Sequence, residues 1–244
     1  MKKPIYLTVI ALLITSMVIA QSPNVIYETI YLTPKTESLK DLGEKMKAHN
    51  QQYHATPPYN ASVWRVTTGE RSGDMLWIMG PFTFADLDSR PSDGGHDEDW
   101  SGNVLPLIHG MHDGYYWKLR PDHMYTPSED FQGKIMRVRT FDIKPGKDDE
   151  FTDMISLINK VYTEKKIGHS RAVFNNVVKD QNRDVAVVFQ YENYAYLDES
   201  QNIGKLFEEV HGDNSWNKFM EAMRDIVEST SDELLEVIPE MSVR

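Results

Sequence analysis

Arg137 and Arg139 stand two apart in the apolar run 135–143, so strand alternation puts both guanidinium groups on one face with Ile135, Phe141 and Ile143. Turned toward an interior, that face would demand an anion, because a buried charge is costly unless paired. Glu28 on the matching strand could supply it, or a carboxylate or phosphate on a ligand. Trp64 and Trp77 fall on neighbouring strands, where their rings suit either the wall of a planar apolar ligand or an ordinary core. Arg137, Arg139, Trp64, Trp77 and Glu28 form the candidate ligand-binding set.

A second group lies in His109-Gly110-Met111-His112-Asp113, where two imidazoles three residues apart share a face if the segment is helical. His109 and His112 are the candidate catalytic residues, as proton shuttle or axial ligand. With Asp113 or His96 they could also hold a divalent ion, but the spacing matches no established ligand motif, and no metal site is assigned. His49 sits on the apolar stripe of a helix and reads as a hydrogen-bonded core residue. Residues 92–99 are rich in carboxylates and glycine but lack the ligand alternation of a calcium loop, and read as solvated. No nucleophile elbow, phosphate-cradling loop or dinucleotide fingerprint is present. The cofactor, if any, stays undetermined.

The elements that must position these residues come in two copies displaced by about 110 residues. Asp74, Ala85, Leu87 and Asp88 recur as Asp184, Ala195, Leu197 and Asp198, and Val63-Trp64 as Val173-Phe174. Copy one reads as a strand over 25–32, then a helix with Leu39, Leu42, Met46, His49 and Tyr53 on one face. A hairpin of 62–67 and 75–79, a short helix over 104–111 and a strand over 115–119 follow. Copy two repeats this with a strand at 135–143, a helix beginning at 148–150, a hairpin of 171–178 and 184–191, two helices at 203–210 and 216–227, and a last strand at 234–238. The expected domains are a leader at 1–20, a first repeat at 21–120, a linker at 121–132 and a second repeat at 133–244.

The leader has Lys2 and Lys3, an uncharged apolar run from Ile5 to Ile19, and a small-residue junction at Ala20-Gln21, as a secretory signal peptide does. It predicts export to the periplasm or beyond the cell, with no lasting membrane anchor. Removing the two lysines takes the net charge from −11 to −13. That balance excludes nonspecific attraction to nucleic acid or anionic membrane. The chain has no cysteine, so neither disulfides nor thiol chemistry contribute.

A β-α-β-β-α-β unit is the ferredoxin-like plait, α+β in class, and two copies stacked sheet to sheet would bury each other's open face. That order and duplication resemble the dimeric α+β barrel superfamily. It includes antibiotic-biosynthesis-type and haem-degrading monooxygenases, chlorite-dismutase-like proteins and NIPSNAP-type proteins. The resemblance covers nearly all of the chain after the leader. It implies an oxygenase-like or haem-associated activity in which Trp77 stands for the strand tryptophan of the haem-degrading relatives and His109 or His112 for their helix histidine. Their first-strand asparagine is matched only by Asn24. The residues themselves favour binding of a small apolar or aromatic ligand that can carry an acidic group. A noncatalytic interaction or stress-associated role, with a solid core, is the third reading.

Overall fold

The computed structural model describes residues 24–90, 94–179, 183–199 and 202–243. The segment expected to be a leader, 1–20, lies outside the described residues. β1 (Ile26–Pro34) is apolar on both faces: Ile26 and Leu32 are fully buried toward the helices, while Tyr27, Thr29 and Tyr31 look the other way. Such a strand must be covered on both sides. It is followed by α1 (Leu39–Tyr53), β2 (Ala61–Val66), β3 (Met75–Phe82) and the short α2 (Phe84–Asp88) and α3 (His96–Asp99). β4 (Ile108–Leu119), β5 (Ile135–Ile143), α4 (Asp148–Lys165), β6 (Ser170–Asn176) and β7 (Val185–Tyr191) come next. The chain then forms α5 (Ile203–His211), α6 (Ser215–Ile226) and β8 (Val227–Val237).

The eight strands close into one antiparallel barrel in the order β1-β3-β2-β8-β5-β7-β6-β4. The runs β4-β1-β3-β2 and β8-β5-β7-β6 have the same internal order. Two seams join them, with Trp64 opposite Val237 on β2 and β8, and Leu119 opposite Phe174 on β4 and β6. Closure leaves no exposed sheet edge. Helices cover the outside: α1 lays Leu42 and Met46 on β1 and β3, and α4 lays Phe151 and Ile155 on the second run. α5 and α6 pack Phe207 and Phe219 against α4.

Two elements differ from expectation. The segment expected to be helical over 104–111 is a π turn and a 3-10 turn that end at Leu107, and β4 starts at Ile108. Met111 and Gly110 pair with Leu32 and Thr33, so the ladder to β1 overrides the helical spacing. β8 begins seven residues before the expected Leu234, because Ser229 to Glu233 pair in register with β5 despite their polarity. The segment expected as a linker is also structured. Tyr125 makes a two-way backbone bridge with Arg171, and the segment closes one end of the barrel. Among the described residues, no helix is long and apolar enough to cross a membrane.

Candidate functional site

The barrel is hollow. A cavity of about 860 Å³ runs through it, within the size range of small-molecule sites and incompatible with a solid core. Alternation along the strands points Tyr27, Thr29 and Tyr31 of β1, Trp64 of β2, Ile78 of β3 and Trp117 of β4 inward. The second run adds Met136 and Val138, Ala172 and Phe174, and Ala186 and Val188. Ile78, Val138 and Val188 face the interior and are only partly buried, as the walls of a hollow are. Along the middle of the wall the polar groups are neutral, and two of them bond to neighbours in the wall. Trp64 Nε1 donates to Ser62 Oγ at 3.1 Å, and Trp117 Nε1 to Thr29 Oγ1 at 3.0 Å.

One end of the barrel carries charge. Tyr31 Oη donates to Glu233 Oε2 at 2.6 Å, and burial, reinforced by that carboxylate, pushes its phenol far up, so it stays protonated. The Arg71 guanidinium lies 4.4 Å above the Tyr31 ring and pairs with Asp113. Arg183, a cavity-wall residue, pairs with the same carboxylate at 2.9 Å and sits 5.5 Å from the centre of the Tyr115 ring. Asp113 thus serves two arginines, so Arg183 can turn to an incoming anion without leaving a carboxylate unpaired. At the opposite end, Met124, Thr126 and Phe131 of the segment after β4 form the rim. Arg171 is 2% exposed, and among the described residues it makes no ion pair. It lies 5.6 Å from the Tyr162 ring centre, and burial lowers its pKa to about 10.

Of the ligand set, Trp64 alone lines the cavity. Arg137 and Arg139 do share a face, but it is the outer one, where both grip Asp232 of β8 at 2.6–3.1 Å. This corrects the expectation that they enter the interior; both faces of β5 carry apolar residues, so composition did not say which face was inside. Trp77 also points outward, its Nε1 donating to Asn50 Oδ1 at 3.1 Å beneath α1. Glu28 accepts from Arg90 Nη1 at 3.0 Å, again outside. His109 is exposed on β4, and His112 Nε2 lies 3.1 Å from Asp74 Oδ2 and 3.2 Å from Thr33 Oγ1. Neither histidine reaches the cavity, and because β4 is a strand they do not form a helical pair.

Sequence reasoning missed Arg183, Tyr31 and Trp117. Arg183 lies in a polar hairpin connection whose direction only the closed barrel defines. Tyr31 and Trp117 were legible as strand aromatics, but not as an inward pair. Among the described lining residues there is no histidine or cysteine, so a haem held here would draw its axial ligand from tyrosine or methionine rather than from the histidine that the resemblance implies.

No family model matches the sequence, and no curated protein matches it. Solved structures do match in fold. A candidate monooxygenase from Fusobacterium nucleatum superposes with a TM-score of 0.59 at 13% identity, over 89% of this chain and 94% of that one. A candidate monooxygenase from Lactobacillus acidophilus NCFM gives 0.56 at 12% identity, over 88% and 94%. A chlorite dismutase from Candidatus Nitrospira defluvii, solved with imidazole, gives 0.57 at 10% identity, over 90% and 93%. At these identities the likeness shows the fold, a dimeric-type α+β barrel.

Proposed function

We propose that this protein binds a small apolar or aromatic molecule inside the barrel, with any acidic group of that molecule held by Arg183. The carrying observation is the cavity of about 860 Å³, walled by rings and aliphatic side chains with neutral hydroxyls between them. Tyr27, shifted upward by burial, keeps its phenol hydrogen for a bound oxygen, while Tyr31 gives its own to Glu233. The lining has one carboxylate, Glu129 at the exposed rim, and no imidazole, so it favours recognition over acid–base chemistry. In this reading the chain is two fused ferredoxin-like repeats, as the matching strand orders support, and works outside the cytoplasm after loss of its leader.

The likeness to candidate monooxygenases favours a second reading, an oxygenase-like step on the bound aromatic. Such a step would need a ligand acidic enough to be activated by the arginine and phenols alone, or a cofactor.

An aromatic sulfonate, 1-anilinonaphthalene-8-sulfonate, matches the cavity's chemistry and tests the binding reading by energy transfer from Trp64 and Trp117. Wild type should bind one probe saturably. Ala172→Trp should weaken binding by narrowing the hollow, and Arg183→Gln should weaken it about tenfold, the loss of one charge-assisted contact. Undiminished binding in a folded Ala172→Trp variant would place the probe elsewhere and reject the cavity.

A further inference from the structure

Outside the barrel, under α1, three imidazoles converge. His49 is on α1, His54 follows it directly and His96 opens α3; one ring nitrogen of each lies within 4.8 Å of the others. We propose that His49, His54 and His96 bind a divalent transition-metal ion, zinc foremost, at a site separate from the barrel cavity.

Each ring is held by its other nitrogen. His54 Nδ1 lies 3.0 Å from the carbonyl of Tyr59, an acceptor only, so Nδ1 carries the proton and Nε2 presents a lone pair. His96 Nδ1 meets Asp97 Oδ1 at 2.8 Å, and His49 Nδ1 meets Asp99 Oδ2 at 2.8 Å. A carboxylate or carbonyl on the far nitrogen is the support that metal-bound histidines have. With its Nδ1 proton fixed, His54 Nε2 points its lone pair at His96 Nε2, 3.3 Å away. Two ligands of one tetrahedral ion, with Zn–N of about 2.0–2.1 Å, stand about 3.3 Å apart.

The independent observation is His49. Its side chain is 0% exposed, and its Nε2 is buried without any hydrogen-bond partner. A buried polar atom left unpaired costs roughly 1–3 kcal/mol, and a metal would remove that cost. An all-imidazole set selects zinc, copper or nickel over calcium and magnesium. Three protein ligands leave a fourth position for water or a small anion.

The test uses the protein without a histidine tag, stripped by chelator and titrated with Co²⁺, then with Zn²⁺ in competition. One equivalent of cobalt should bind with the visible bands of a tetrahedral ion. His96→Ala, at the first position of the short α3 with its side chain 13% exposed, should lower zinc affinity at least about a hundredfold, with unchanged circular dichroism, and Asp97→Asn about tenfold. His109→Ala should match wild type. Absence of tetrahedral bands, wild-type affinity in His96→Ala, or an equal loss in His109→Ala would each overturn the site. Probe binding in the barrel should be the same with and without zinc, so this result and the cavity result fail separately.

Discussion

Two buried histidines, one in each outer layer of the barrel, are held differently. Over the second run, His169 is 8% exposed and both ring nitrogens are engaged, Nε2 with Tyr162 Oη at 2.9 Å and Nδ1 with Tyr196 Oη at 3.1 Å. Three long helices cover that layer and pack Phe207, Trp216 and Phe219 face to edge or stacked. Over the first run there is one long helix, then short turns, and His49 retains an unpartnered nitrogen. A closed polar cluster contributes rigidity, while an open one contributes a place for a ligand. The difference makes His169 part of the scaffold and leaves His49 a nitrogen free to ligate, with the cavity between the layers drawing its walls from both runs.

The largest effect should come from breaking the scaffold. Phe151 is 1% exposed and packs 5.2 Å from Phe141, so Phe151→Ala should cost about 3–5 kcal/mol in urea unfolding. A loss below about 1 kcal/mol would mean that the second layer is not the rigid one. Next, zinc at about a hundredfold over its Kd should stabilise wild type by about 2.7 kcal/mol and leave His96→Ala unchanged. Equal stabilisation of both would erase the contrast between the layers.

A smaller effect tests the closed cluster. Burial, and then the nearby Arg171, lower the pKa of His169 from 6.5 to about 4. Between those values the unfolded chain takes up a proton that the folded chain refuses. The His169 contribution is therefore complete above pH 6.5 and is lost as pH falls toward about 4. Wild type should lose several degrees more of Tm across that window than His169→Gln, measured by thermal scans. Parallel curves would show that His169 is not held neutral. The smallest effect belongs to Arg137 and Arg139, whose side chains are 38% and 36% exposed with Asp232 between them. Their double alanine variant should change stability by within about 1 kcal/mol and leave probe binding intact.

Much of this architecture is legible in the residues. β5 runs over the stretch of alternating apolar residues that marks it, and the acidic start of α4 and the Leu42 and Met46 stripe of α1 appear where spacing places them. The failures have physical causes. Ser229 to Glu233 carry no strand signal because they are polar on both faces, and only pairing with β5 makes them β. Arg137 and Arg139 were correctly set on one face, but a barrel strand with apolar residues on both sides hides which face is inside. His49 and His96 lie 47 positions apart, and local spacing carries no information about a contact made by a loop folding back on a helix.

The central claim is that the barrel interior is a ligand chamber. Native mass spectrometry of wild type and Ala172→Trp, each purified from its own host and compared with its denatured mass, tests it most directly. The account predicts a noncovalent mass on wild type that disappears on denaturation and is carried by a smaller fraction of the native Ala172→Trp protein. An equal fraction of both proteins carrying that mass, or none on wild type even after incubation with the aromatic sulfonate, would contradict it.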